Sequence, residues 1–280
     1  MAVPSHPTLP PMPVCRVNGT TLYYEDSGGP GPVVCFSHGL LFSGAMFESQ
    51  VRALAPRYRC IAYDHRGQGR SADPGGRLHD IETVTSDAAA FITALGVAPC
   101  HFVGLSMGGF VGMRLAARQG GLLRSLTLLE TSADPEPAEN VTRYRVLAFV
   151  ARWLGMHPVV GRVLPIVFGR TFLADSARAA ERALWRGRLA SNRRSIVRAV
   201  HGVIERRGIA DELPRIRVPT LVIVGEEDVA TVPAKSDRIH ALIPGSRLAR
   251  IAGAGHSSCI EQPDAVNAAI EEFLDEIAPG

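Results

Sequence analysis

Gly104-Leu105-Ser106-Met107-Gly108, with Gly109 directly after it, is the feature that most restricts what this chain can fold into. It lies between the apolar run His101-Phe102-Val103 and a helical pattern that begins near Met107. A serine among small residues at a strand-to-helix junction reads as a tight, strained turn in which backbone segments pass closely. Such a turn exposes the hydroxyl at a helix N-terminus, where free N–H groups face incoming negative charge. An ordinary glycine-rich turn would share the spacing, so the rest of the chain must supply partners for Ser106.

The surroundings fit that turn. Cys15 to Asp26 reads as two strands around Asn18-Gly19. The runs Val33–Ser37, Tyr58–Tyr63, His101–Leu105 and Leu126–Leu129 read as strands. Helical patterns at about 45–54, 81–95 and 107–118 alternate with them. Parallel strands need crossover elements, so this rhythm predicts an α/β fold with a mostly parallel sheet and helices on both faces. Between about 133 and 213 the strand signal lapses and apolar residues recur at helical spacing among many arginines. We expect a helical cap over 133–213, inserted into a core domain made of 14–132 and 214–280. Residues 1–13 are Pro-rich and are expected to be a flexible segment. Strands return at Thr220–Val224 and Arg247–Ile251, and a last helix is expected over about 264–277.

Two partners for Ser106 stand in that final third. Val222-Ile223-Val224-Gly225-Glu226-Glu227-Asp228 is a buried-type strand ending in three carboxylates. Ile251-Ala252-Gly253-Ala254-Gly255-His256 is a strand running through glycines onto a histidine. The order Ser106, Asp228, His256 suits a catalytic triad in which the imidazole takes the serine proton and the carboxylate fixes its tautomer. Glu130, closing Leu126–Leu129, is the competing acid; Asp228 is favoured because the turn after Gly225 should carry it to the strand tip. Ser37-His38-Gly39-Leu40 follows another apolar run, and the N–H groups of Leu40 and Met107 are the expected oxyanion donors. We read His38 as a turn histidine held by backbone. In Tyr63-Asp64-His65-Arg66-Gly67-Gln68-Gly69-Arg70-Ser71, Asp64 and His65 are read as structural.

Composition narrows the class further. The 280 residues are 46% hydrophobic and 20% charged, enough for a sizeable core without staples. A net charge of +3 predicts neither nucleic-acid nor membrane partners, and no run reaches the ~18 apolar residues of a spanning helix. Lys235 is the only lysine. The five cysteines, Cys15, Cys35, Cys60, Cys100 and Cys259, form no C-x-x-C pair and read as buried free thiols in a reducing compartment. With no secretory pattern at the N-terminus, a cytoplasmic protein is expected. No metal cluster or nucleotide loop is visible, so no cofactor is expected, and monomer and homodimer are both left open.

HGLL, YDHRGQGRS, GLSMGG, VGEED and GAGH, in this order, resemble the α/β-hydrolase superfamily across nearly the whole chain. The resemblance implies an eight-stranded, mostly parallel sheet with a cap after the sixth strand. GLSMGG with FVGMRLAAR, and then LLETSADPEP, look most similar to small bacterial serine esterases and 3-oxoadipate enol-lactonase-like hydrolases. Carboxylesterases and cofactor-free haloperoxidases, which also show perhydrolase activity, share GxSMGG. Epoxide hydrolases and haloalkane dehalogenases carry aspartate where Ser106 stands. Proline iminopeptidases have a Gly-Gly-Ser-Trp-Gly elbow, from which Leu105 and Met107 depart. Carbon–carbon bond hydrolases have a longer glycine-rich stretch after HG than Leu40-Leu41-Phe42-Ser43-Gly44.

The expected activity is hydrolysis of small or medium carboxylic esters through an acyl-enzyme. A lactonase, a perhydrolase or acyltransferase on the same triad, and a ligand receptor without turnover are the alternatives. The partner is a small-molecule ester or lactone. In the cap, Phe149, Trp153, Phe168 and Trp185 are read as core of the insertion. Arg143, Arg145, Arg152, Arg182, Arg186, Arg193, Arg194 and Arg198 are read as a solvated face. An arginine turned inward would favour a carboxylate-bearing substrate such as an enol-lactone.

Overall fold

A computed structural model describes residues 13–278. Its eight strands form one sheet in the order β1-β2-β4-β3-β5-β6-β7-β8. They are β1 (Val14–Val17), β2 (Thr20–Asp26), β3 (Val33–Ser37), β4 (Arg59–Tyr63), β5 (Cys100–Leu105), β6 (Leu123–Leu129), β7 (Thr220–Gly225) and β8 (Arg247–Ile251). Asn18 and Gly19 both take positive φ, 43° and 71°, which matches the twist a two-residue hairpin needs between β1 and β2. β2 is antiparallel to both β1 and β4, and every other pairing is parallel. The strands β5 and β7 are buried at every position because helices cover both faces. Pro13 to Asp26 packs as ordered chain; residues 1–12 of the expected flexible segment lie outside the described residues.

The crossovers are helical. A short 3₁₀ turn at Gly44–Phe47 leads into α1 (Glu48–Leu54), where the sequence suggested one continuous helix. α2 (Ile81–Ala94) starts at Asp80, whose carboxylate accepts from the Thr83 N–H at 2.8 Å, a cap worth about 1 kcal/mol. α3 (Met107–Arg118) follows β5 without an intervening loop. The chain then forms α4 (Ala138–Leu154), α5 (Val160–Val167), α6 (Arg170–Ala174), α7 (Ala179–Ala190) and α8 (Val197–Ile204) between β6 and β7. α9 (Pro233–Leu242), α10 (Ser258–Glu261) and α11 (Pro263–Glu276) complete the chain. The sequence reading named neither α9 nor α10. α9 buries only Ser236 and Ile239, too thin an apolar stripe to show as periodicity, and α10 is a single turn.

One side of the sheet shares its core with the helical insertion: Phe36, Phe42 and Leu105 belong to the same cluster as Ala148, Val163, Phe168 and Trp185. Phe42 meets Phe168 and Trp185 edge-on, at 6.3 and 5.8 Å between ring centres. Phe168 and Trp185 are therefore core, as expected of them. Phe149 and Trp153 are not, being 67% and 60% exposed. α4 turns Ala148 and Ala151 inward, and at 3.6 residues per turn Val146, Phe149 and Trp153 fall on the opposite face. Helical spacing identified the stripe without saying which stripe faces in. All five cysteines are buried free thiols, and burial raises the Cys35 and Cys259 thiols well above their ordinary value.

Candidate active site

Ser106 occupies the junction between β5 and α3 with φ 52° and ψ −108°, a region that non-glycine residues rarely enter. The surrounding backbone fixes this strain. The Ser106 N–H donates to the Leu129 carbonyl at 2.8 Å, and the Ser106 carbonyl accepts from Thr131 Oγ1 at 2.8 Å. Gly108 lies against the Ser37 carbonyl and Gly104 against the Gly108 carbonyl, so a Cβ at either position would collide with backbone. The small residues of the motif are thus required by close approach, and Ser106 lines the pocket together with Leu105.

Ser106, Asp228 and His256 meet although they arise from three separate strand ends. Ser106 Oγ lies 2.9 Å from His256 Nε2, and His256 Nδ1 lies 2.9 Å from Asp228 Oδ2. All three are buried, at 8%, 3% and 6% exposure. Burial pushes the Asp228 carboxyl up, but the adjacent imidazole and the hydrogen bonds from Thr231 outweigh it and hold the group below the usual value. Its Oδ1 accepts from the N–H groups of Ala230 (2.8 Å) and Thr231 (3.1 Å), and its Oδ2 accepts from Thr231 Oγ1 (2.7 Å). An ionised carboxylate in this cradle orients Nδ1–H and leaves Nε2 free to take a proton from the serine.

Glu130, the competing acid, does not contact the ring through any hydrogen bond. It sits at the end of β6 with φ 41°, wholly buried; Oε1 accepts from the Gly225 N–H at 3.1 Å and Oε2 has no partner. Burial, together with the nearby Asp228 and Glu261, drives its carboxyl well above the ordinary range despite the Gly225 bond. Without a hydrogen bond to the imidazole, Glu130 does not orient Nδ1–H as Asp228 does.

The other histidine and acid of the sequence motifs hold loops. His38 Nδ1 bonds the Gly39 carbonyl at 2.7 Å, and Nε2 accepts from the His65 N–H at 3.0 Å. Burial lowers its affinity for a proton, so it remains a neutral strut. Asp64 accepts from the N–H groups of Gly44 and Arg70, both at 2.7 Å. Gln68 Oε1 takes the Leu41 N–H at 3.0 Å and so fixes the turn that carries Leu40. Leu40 lines the pocket beside Ser106, while Met107 opens α3, where a helix's first N–H groups lack intrahelical acceptors.

Two supporting residues lie outside the sequence motifs. Thr231 shares Asp228 Oδ2 with the imidazole, and its Oγ1 lies 3.3 Å from His256 Nδ1. Glu261, buried on α10, accepts from the N–H groups of Gly255 (3.0 Å), Ser257 (3.0 Å) and, from the insertion, Gly169 (2.8 Å). Proximity in chain to His256 was legible for Glu261, but its inward orientation depends on the sharp turn at Ser257.

Above Ser106 the pocket is walled by hydrocarbon from the insertion, including Leu147, Met156, Val159, Val163 and Val200. Most of the arginines read as a solvated face are so: Arg143, Arg145, Arg152, Arg186 and Arg194 are exposed, while Arg193 and Arg198 bind loop carbonyls beside the insertion. The arginine that does line the pocket is Arg206, which no sequence signal distinguished. Among the described residues, no helix is long and apolar enough to cross a membrane.

Comparison with known proteins identifies the family of this fold. Residues 32–263 match the family described as alpha/beta hydrolase fold. A non-heme haloperoxidase of Rhodococcus erythropolis is 30% identical over 94% of this chain and 98% of its own length. The enol-lactonase of Burkholderia xenovorans superposes with a TM-score of 0.87 at 32% identity, covering 94% of this chain and 100% of that one. A thermophilic esterase of Thermogutta terrifontis gives 0.84 at 30% identity, covering 93% and 95%. Its sheet, its strained serine turn and these matches make the chain a member of the α/β-hydrolase family.

Proposed function

We propose that the protein is a serine hydrolase that cleaves carboxylic esters of small or medium acyl groups through an acyl-enzyme. The observation that carries this reading is the continuous relay from Ser106 Oγ through His256 to Asp228, two contacts of 2.9 Å each in a buried, hydrocarbon-walled site. Ser106 Oγ attacks the carbonyl carbon as its proton passes to His256 Nε2. The oxyanion is held by the N–H groups of Leu40 and Met107, a donor pair in which each member contributes about 2.7–4 kcal/mol. Collapse expels the alcohol, which takes the proton from Nε2. Water then gives a proton to the same nitrogen, attacks the acyl carbonyl, and the acid leaves as the proton returns to Ser106.

Hydrolysis of p-nitrophenyl butyrate, abolished in Ser106→Ala, with fluorophosphonate labelling of the wild-type serine, tests this reading. A wild-type protein that neither turns over short acyl esters nor is labelled would overturn it. The likeness to the Burkholderia enol-lactonase favours a second reading, the same attack on a cyclic ester, and a lactone panel run beside linear esters separates the two.

A further inference from the structure

Arg206 and Glu136 form an ion pair in the wall of the acyl pocket. Arg206 follows α8 and Glu136 precedes α4, so the pair also joins the two ends of the helical insertion. Arg206 Nη1 donates to Glu136 Oε2 at 2.7 Å and to the Val203 carbonyl at 2.9 Å. The other Glu136 oxygen accepts from Asn140 Nδ2 at 3.0 Å. The guanidinium lies over the Phe110 ring, 4.3 Å from its centre, and the two side chains are only 3% and 8% exposed. Arg206 Nε is buried with no hydrogen-bond partner. Among the described residues lining this pocket, these are the only arginine, lysine, aspartate or glutamate side chains.

We infer that the Arg206–Glu136 pair sets the substrate class of this pocket, admitting acyl groups without charge and rejecting those that carry a carboxylate. The inference rests on the ester-hydrolase reading above. An incoming carboxylate must leave water for a hydrocarbon-walled site, and only a counter-charge offsets that loss. The one guanidinium present is already offset by Glu136, whose own charge repels a second anion. The inward arginine therefore selects against an acidic acyl group rather than for it.

The test compares two chromogenic esters of equal carbon number, p-nitrophenyl hexanoate and mono-p-nitrophenyl adipate, by kcat/KM. The wild-type protein is expected to favour hexanoate by at least about tenfold. Glu136→Gln removes the offsetting charge and keeps an acceptor for Arg206, so the adipate-to-hexanoate ratio should rise about tenfold; Arg206→Gln leaves Glu136 alone and should lower it. Each ratio is internal to one protein, so a change in the amount of folded enzyme does not enter it. Equal use of the two esters by the wild type, or a preference for adipate, overturns the inference, and that arm requires no variant to fold. A ratio unmoved in both folded variants overturns it as well. If these results come from a protein whose Ser106 is labelled by fluorophosphonate, the ester-hydrolase reading survives and only the role of the pair falls. An unlabelled, inactive wild type removes both.

Discussion

Glu261 grips the backbone on both sides of His256. One carboxylate oxygen accepts from Ser257 N–H and the other from Gly255 N–H, while the second also takes Gly169 N–H from the insertion. The imidazole is thus held from below through its main chain as well as from the side by Asp228. Glu261→Gln replaces one acceptor oxygen by an NH₂ group that faces an N–H. We expect kcat to fall about 10- to 100-fold with KM little altered, because a loosened imidazole mispositions the proton transfer without reshaping the acyl pocket. Steady-state kinetics on one ester checks this, and equal losses in KM and kcat would count against a positioning role.

Asp228 and Glu130 separate cleanly by substitution. Asp228→Asn should lower kcat by about 10⁴, since the amide no longer enforces the tautomer that leaves Nε2 free. Glu130→Gln should change kcat no more than a few-fold, because the side chain makes no hydrogen bond to His256 and the amide oxygen still accepts from the Gly225 N–H. Progress curves on p-nitrophenyl butyrate decide it, and the reverse ordering would transfer the acid role to Glu130.

Glu130 also predicts a pH dependence of stability. Its carboxyl binds a proton more tightly in the folded protein than in the unfolded chain. The folded state therefore carries the extra proton once pH exceeds the ordinary carboxyl value near 4.5. Its contribution to stability is complete below that pH and declines as pH rises toward the raised value, with a slope of at most about 1.4 kcal/mol per pH unit. Glu130→Gln lacks this slope. Urea unfolding at pH 5 and pH 8 should show the variant gaining on the wild type as pH rises, and parallel behaviour would contradict a proton affinity raised by burial.

Arg66 and Asp87 form a buried pair, 9% and 2% exposed, in which the guanidinium engages both carboxylate oxygens. It fixes the loop after β4 to α2. Asp87→Ala strands the guanidinium and should cost about 3–5 kcal/mol, read as a shift in urea midpoint at constant m-value.

The chain has two tryptophans in contrasting settings, Trp153 60% exposed and Trp185 7%. Iodide should quench one emission component and spare the other. Trp153→Phe should remove the quenchable component and alter stability by no more than about 0.5 kcal/mol. A protected Trp153 would mean that the outer face of α4 is covered in solution.

Much of this protein is legible from short-range sequence. The turns that carry Ser106, Asp228 and His256, the glycines that let the serine turn pack against Ser37, the Asn18-Gly19 hairpin and the alternation of strands with helices are all local patterns. Each is dictated by backbone sterics or by burial of one face, which neighbouring residues decide. What the sequence left open depends on residues far apart meeting. Glu130 and Asp228 are both carboxylates at strand ends, and only the packing around Gly225 and Thr231 makes one a buried prop under the Gly225 N–H and the other the partner of His256. The apolar stripes of α4 have the same period on both faces, and the small side chains that permit close packing, Ala148 and Ala151, decide which one is core. Arg206 is one of many arginines until the insertion folds back and brings Glu136, 70 residues away, against it. Periodicity and turn chemistry are properties of a segment; ionisation state and partner choice are properties of an enclosure, and the enclosure exists only once the chain has closed around it.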